Sequence, residues 1–274
     1  MNAIVKDLDI STHSPVSLCP IHDVHIGHIG HDHKYFTDAI KWIKNTNTYV
    51  VLLGDHIDAI SQQERRFENP TIDPRFRKHL DNLHYEQTRF FIDAMKPIED
   101  RIIAILPGNH EVAVRKRFSY DATKVISDEL GVPILTDPGY VILKFHRSKT
   151  STLQKNILCS HGGFMGGRKR GSKVNAMEDL AASFDADIYL AGHTHDKFVT
   201  QRNIIRPNSR GVLSYDKKLF VNGGSMLHTY TLNTTDDGWA TRKLFSPGVP
   251  GMMRIDFLLK EKQGKNYIDV HVRE

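Results

Sequence analysis

The sequence predicts an α/β protein, because short apolar runs that end in Gly, Asp, Asn or His alternate with longer amphipathic segments. Its C-terminal third changes character and has the pattern of a β-hairpin, which predicts a second sheet. The 274 residues are 39% hydrophobic and 25% charged, as in an ordinary globular protein with a sizeable core.

Six apolar runs are the predicted strands; five of them end in Gly or Ser, and the first is followed by His22. They are 15–21, 49–54, 101–108, 155–160, 187–192 and 218–224.

Four helices are predicted between these strands. Residues 33–45 place Phe36 and Ile40 on one face, and residues 84–95 form an apolar stripe that Pro97 stops. Residues 119–130 are followed by Gly131, a residue typical of helix ends, and an apolar stripe runs from Val174 to Phe184.

The late hairpin is predicted from the apolar runs 251–260 and 265–272, which flank the turn Lys-Gln-Gly-Lys. No repeat or linker divides the chain, so we expect one domain. Its expected insertions are the polar, turn-rich segments near 61–83, 163–173 and 196–217.

Composition excludes several classes of protein. No apolar run reaches the roughly 20 residues of a membrane span, and the first residues lack the pattern of a signal peptide, so we expect a cytoplasmic protein. Cys19 and Cys159 each lie in an apolar run, which predicts buried thiols without a disulfide. A net charge of +5 favours an anionic partner.

Polar motifs follow five of the six predicted strands. The carboxyl ends of neighbouring strands in an α/β sheet form the crevice where ligands bind, so these side chains are expected to converge. Taken singly, each motif is as typical of a turn or a helix cap as it is of a binding site. The motifs contribute Asp23 and His25; Asp55 and Asp58; Asn109 and His110; His161; and His193 and His195.

Nitrogen and oxygen ligands without thiolate suit Mn, Fe, Zn or Ni better than Ca or Mg. Seven of these nine side chains would serve as metal ligands. Seven ligands exceed the needs of one ion, whereas two ions that share a carboxylate would use all seven. Two-metal sites hydrolyse phosphate esters with a metal-activated hydroxide. The sequence therefore predicts two divalent transition metal ions, with Mn²⁺ favoured.

Taken in order, D-x-H, GD-x-x-D, GNHE, a later His-Gly and GH-x-H resemble the calcineurin-like metallophosphoesterase superfamily. The resemblance implies a two-sheet β-sandwich flanked by helices, a four-layer αββα fold. It implies that one metal is held by Asp23, His25, Asp55 and His195, and the other by Asp55, Asn109, His161 and His193. His110 would then be the acid for the leaving group, oriented by Asp58.

One departure favours diesters as substrates. Where the protein-phosphatase branch of the superfamily has an arginine that grips a terminal phosphate, this chain has Ala59. Arg115, Arg117 or Arg168 would be the substitutes that keep monoesters possible.

The expected activity is a phosphodiesterase acting on nucleotides or nucleic acid, with a phosphomonoesterase or nucleotide pyrophosphatase as the alternative. A non-catalytic scaffold is disfavoured because every ligand position is filled. Basic runs follow three of the motifs, so Arg115, Arg117 and Arg168 are expected to contact an anionic substrate. Among the remaining histidines, His28 is a candidate substrate contact, whereas His22 and His56 are expected to be structural and to face away from the site. The oligomeric state stays open.

Overall fold

A computed structural model gives the fold and describes residues 1–60, 62–64, 67–148, 151–207, 209–230, 242–262 and 264–274. The strands in these ranges are β1 (Ala3–Asp9), β2 (Val16–Ile21), β3 (Thr48–Leu53), β4 (Ile102–Leu106), β5 (Gly139–Ser148), β6 (Ser151–Cys159), β7 (Ile188–Ala191), β8 (Lys197–Pro207), β9 (Leu213–Ser225), β10 (Gly251–Met252), β11 (Arg254–Lys262) and β12 (Lys265–Arg273). The helices are α1 (His33–Lys44), α2 (Leu83–Met95), α3 (Asn109–Phe118), α4 (Ala122–Leu130) and α5 (Arg170–Asp179).

The described strands form two sheets. One has the order β12-β11-β2-β3-β4, in which β2, β3 and β4 run parallel. The other has the order β1-β5-β6-β7-β9-β10, with β8 paired to β9, and its strands β6, β7 and β9 run parallel. The predicted late hairpin is confirmed as β11 and β12, and it extends the first sheet.

Four layers surround the core, as the resemblance implied. The sheets face each other across a buried apolar cluster in which the rings of Phe145 and Phe257 lie 5.0 Å apart. Helices α1 to α4 cover the outer face of the five-stranded sheet. Helix α5 packs Met177 on the other sheet, beside Tyr189 and Phe220. This arrangement places the carboxyl ends of both sets of parallel strands at one edge of the sandwich.

Several elements differ from the predicted ones. Strands β1, β5 and β8 and helix α3 were not predicted, and α5 ends at Asp179, where a 3-10 turn follows. Of the expected insertions, 196–217 contains β8 and the start of β9, whereas 163–173 is a loop as far as residue 169 and then the first turn of α5. Residues 61, 65, 66 and 208 of the insertions lie outside the described residues.

Cys19 and Cys159 are buried, as predicted. Among the described helices, none has the length and apolar character needed to cross a membrane.

Candidate metal centre

The predicted ligands follow five strands from both sheets; all lie in loops except Asn109, which begins α3. Asp23 and His25 follow β2, and Asp55 follows β3. Asn109 is the first residue of α3, just after β4. His161 follows β6, and His193 and His195 follow β7. The structure brings together all seven predicted ligands, which approach one another from different elements.

Left-handed backbone is concentrated at these ligands. Asp23, His25, Asp55, His193 and His195 have φ values of 48°, 50°, 50°, 67° and 57°. This conformation is costly for residues other than glycine and clusters at functional sites. We therefore infer that tight turns, and not the alternation along a strand, aim these side chains at one region.

The first ligand group contains Asp23, His25 and His195. His195 Nε2 lies 3.4 Å from Asp23 Oδ1 and 3.3 Å from His25 Nε2. His25 Nε2 lies 3.9 Å from Asp23 Oδ1 and 3.9 Å from Asp55 Oδ2. Four potential ligand atoms therefore face one small volume.

The second ligand group contains Asn109, His161 and His193. His161 Nε2 lies 3.0 Å from Asn109 Oδ1 and 3.2 Å from His193 Nδ1. The same nitrogen lies 3.3 Å from Asp55 Oδ2, the oxygen that also faces the first group. Asp55 therefore stands between the two groups, and His193 and His195 lie in different ones.

These residues fit divalent cations. Ligands bound at about 2.0–2.1 Å in a tetrahedral site lie about 3.4 Å apart, close to the separations seen in both groups. Asp23 Oδ1 is buried and has no hydrogen-bond partner among the described residues, which is costly unless a cation binds there. Three-residue subsets of both groups have the spacing of metal ligands.

The charges of neighbouring side chains in the two ligand groups shift one another's pKa values. Burial alone raises the pKa of Asp55, but the positive charges of His110 and His161 outweigh burial and hold that pKa far below its usual range. His161 shows the converse: burial lowers its pKa, but the charge and hydrogen bond of the Asp55 carboxylate outweigh burial and raise the pKa to about 10. The site therefore favours charged carboxylates, which are the form that binds metal.

The model of the family described as calcineurin-like phosphoesterase matches residues 21–197, about two thirds of the chain. The chain belongs to the calcineurin-like phosphoesterase family.

Solved structures of several proteins align along the chain. Vacuolar protein sorting 29 from Cryptosporidium parvum has 14% identity and a TM-score of 0.40, and the alignment covers 95% of this chain and 98% of that one. A metallophosphoesterase from Sphaerobacter thermophilus has 12% identity and a TM-score of 0.39, with 94% and 88% covered. A predicted phosphoesterase from Streptococcus pneumoniae has 10% identity and a TM-score of 0.32, with 94% and 99% covered. No curated protein matches the chain.

In this calcineurin-like phosphoesterase, His110 lies beside the ligand groups. Its ring packs edge-on against His25 with centroids 4.7 Å apart, and its Nε2 lies 4.0 Å from Asp55 Oδ2. Its Nδ1 contacts the backbone carbonyl of Asp58, which fixes the ring. The Asp58 carboxylate lies 3.3 Å from His25 Nδ1. Asp58 thus contacts His110 through its main chain and a predicted metal ligand through its side chain.

Glu111 is a residue of the site to which the sequence analysis assigned no role. Its buried carboxylate accepts hydrogen bonds from the backbone N–H groups of residues 55, 56, 57 and 108, at 3.0, 2.7, 3.2 and 2.8 Å. These bonds tie the loop after β3 to the start of α3. The signal available in the sequence was an acidic residue directly after Asn109 and His110.

Close approach of these two loops also requires glycine. A Cβ atom on Gly108 would lie 2.1 Å from Asp55 Oδ1, and one on Gly54 would lie 2.5 Å from the Gly108 backbone. The Asp55 carboxylate therefore fits against α3 only because these two positions lack side chains.

The predicted substrate-binding residues have different surroundings. Arg115 is half-exposed, pairs with Asp121 at 3.3 Å, and lines a cavity of about 570 Å³ together with Asn109 and His161. Arg117 pairs with the buried Glu64 at 2.8 Å, and Arg168 is exposed in the loop before α5. His28 accepts a hydrogen bond from the Gly30 N–H at 2.9 Å. Burial lowers the pKa of His28, and the charges of His25, His110 and His195 lower it further.

Two neighbouring histidines were expected to face away from the site. His56 does so, since it is buried with its ring 5.0 Å from that of Phe91. His22 does not, because its Nδ1 lies 2.6 Å from Asp23 Oδ2. That expectation was wrong because the left-handed conformation at Asp23 interrupts the alternation of side chains on which it depended.

Proposed function

We propose that this protein is a binuclear metal-dependent phosphodiesterase that acts on nucleotides or nucleic acid. Family membership supports a metal-dependent phosphoester hydrolase. The observation that carries the binuclear assignment is the position of Asp55 Oδ2, which faces His25 Nε2 of one group and His161 Nε2 of the other. Mn²⁺ is the proposed metal, with Fe, Zn and Ni as the alternatives, because the ligands are nitrogen and oxygen.

When bound, a pair of divalent cations offsets charge on phosphate oxygens and activates water for attack. His110 is proposed to give a proton to the departing alkoxide from Nε2, since its Nδ1 contacts the Asp58 carbonyl and Nε2 lies beside Asp55. Asp58 acts through this carbonyl to orient the ring. His28 is proposed to contact the substrate on the side of the leaving group, since the charge of His110 acts on His28 and lowers its pKa.

Two features favour a diester over a monoester. Ala59 is buried and gives no cation at the place where the protein-phosphatase branch has arginine. The cavity lined by Arg115 opens beside Asn109 and His161, whereas His110 contacts the opposite group through His25. A substrate could therefore extend on both sides of a central phosphate, as a diester does.

The decisive experiment compares hydrolysis of bis-p-nitrophenyl phosphate and p-nitrophenyl phosphate with Mn²⁺. We expect a higher kcat/KM for the diester, and the reverse order would favour the phosphomonoesterase. Replacing His110 with Ala should leave the metal content intact and lower kcat by roughly 10²–10⁴-fold for a poor leaving group, with a smaller loss for a good one. Metal binding without turnover of either ester or of a nucleotide would favour a non-catalytic scaffold.

Nucleic acid or a substrate with several phosphates is proposed because basic triplets flank the site. They comprise residues 115–117 at the end of α3 and 168–170 at the start of α5. Neutralising either triplet should raise KM for a polyanionic substrate and flatten its salt dependence, while a small diester is hardly affected. If neither change affects a polyanion at low salt, a small-molecule substrate is favoured. A cytoplasmic location and a single domain stay predictions.

A further inference from the structure

His22 forms a buried contact with the first predicted metal ligand. The residue is 2% exposed, and its Nδ1 lies 2.6 Å from Asp23 Oδ2. A carboxylate oxygen only accepts hydrogen bonds, so Nδ1 is the donor. The backbone N–H of His193 donates to the same oxygen, also at 2.6 Å. Short bonds to a carboxylate are among the strongest hydrogen bonds in proteins.

The other oxygen of Asp23 has the opposite surroundings. Oδ1 has no hydrogen-bond partner among the described residues, and it faces His195 Nε2 at 3.4 Å and His25 Nε2 at 3.9 Å. The two donors therefore occupy Oδ2, and only Oδ1 is presented to the first ligand group. Asp23 is arranged to bind a cation through one oxygen.

The structure leaves His22 little room to move. A Cβ atom on Gly192 would lie 2.5 Å from Nδ1, and one on Gly223 would lie 2.3 Å from Nε2. The ring therefore occupies space that only glycine leaves open, between the loop after β7 and strand β9. This packing fixes the imidazole, and through it the plane of the Asp23 carboxylate.

We propose that His22 is a positioning residue that holds Asp23 as a one-oxygen ligand and so strengthens cation binding at the first group. This inference rests on the proposed binuclear centre. Among the described residues, the hydrogen bond and ion pair of His22 go to Asp23 and to none of the side chains of the second group. Partners that orient metal ligands typically change metal affinity by about 10–100-fold when they are removed.

The test compares His22→Asn, His22→Gln and His22→Ala in the full chain. An Asn amide nitrogen lies near the position of Nδ1, whereas a Gln amide nitrogen lies near that of Nε2, so the two variants differ in where the donor is placed. Mn²⁺ binding is measured from free Mn²⁺ by electron paramagnetic resonance. His22→Ala and His22→Gln should weaken one of the two ions by about 10–100-fold and leave the other unchanged, and His22→Asn should restore most of the affinity.

Thermal melting of the metal-free variants is the control for folding. If the Ala variant does not fold, the Mn²⁺ affinities of the Asn and Gln variants are compared to test the proposal. The proposal is overturned if folded variants bind both ions as tightly as the unsubstituted chain, if both ions weaken equally, or if Asn is no better than Gln. Failure of the unsubstituted chain to bind two ions would instead contradict the binuclear centre.

Discussion

Replacing Glu111 with Gln should destabilise the protein strongly, because this carboxylate accepts four buried backbone hydrogen bonds. Oε1 accepts from the N–H groups of residues 56 and 57, and Oε2 accepts from those of residues 55 and 108. A Gln side chain has one oxygen, so its NH₂ group would face two N–H donors. Each lost bond to a charged group is worth about 1.5–3 kcal/mol, which gives a loss of about 3–6 kcal/mol.

Urea unfolding of the metal-free protein measures this loss. Glu99→Gln is the matched control, since Glu99 is exposed and its substitution should change the free energy of unfolding by less than about 0.5 kcal/mol. Glu111→Gln should also weaken Mn²⁺ binding, because the loop that carries Asp55 loses its support. A free energy of unfolding within about 1 kcal/mol of the unsubstituted value, with an unchanged m-value, would refute the assigned role of Glu111.

Three further outcomes are expected. Asp55→Asn should abolish activity and weaken both metals at least about tenfold, because one carboxylate oxygen faces both groups; metal analysis that finds one ion bound as before would contradict the bridge. His161, with its pKa raised to about 10 by the Asp55 carboxylate, should release about one proton when Mn²⁺ binds at pH 7, and calorimetry that shows no dependence on buffer ionisation enthalpy would disprove this. Burial lowers the pKa of His31 to about 4, so between pH 6.5 and 4 the unfolded chain binds a proton that the folded chain does not. Stability should therefore fall by up to about 3 kcal/mol as the pH drops through this window, and His31→Leu should reduce the dependence on pH measured by urea unfolding.

The sequence predicted the parts of the fold that have a clear apolar period. Six strands and the late hairpin were recognisable because burial leaves runs of apolar residues that turns interrupt. Helix α3 was missed because its sequence is mostly polar and has Val114 as its one buried apolar residue. The helix begins at Asn109, and its first three side chains lie at the candidate site. These side chains are polar, so the first turn has little apolar surface.

The candidate site was predictable as a set of residues, but its geometry was not. The order of five motifs after strands indicated which side chains meet. The contacts of Glu111 and His22 depend on backbone groups and loops distant in sequence, so the residues next to them in the chain do not show which groups they contact. His22 shows this most clearly. The alternation of side chains along a strand predicted that His22 faces away from the site, whereas its ring contacts Asp23.

The same left-handed turns that interrupt the alternation of a strand divide the predicted ligands into two groups. Side chains two residues apart on a regular strand point the same way and are about 6.6–6.8 Å apart at their base, which would direct them to neighbouring points on one face. With positive φ at both His193 and His195, the former instead joins Asp55 and His161 and the latter joins Asp23 and His25. Each such conformation costs roughly 1–2 kcal/mol and needs support from its surroundings. Glu111 supports the turn at Asp55 by accepting its N–H, and His193 at its own turn donates its N–H to Asp23. The hydrogen bonds that hold these turns therefore also hold the carboxylates of the predicted metal ligands. Removing one of these bonds should change both the stability of the fold and the affinity for metal.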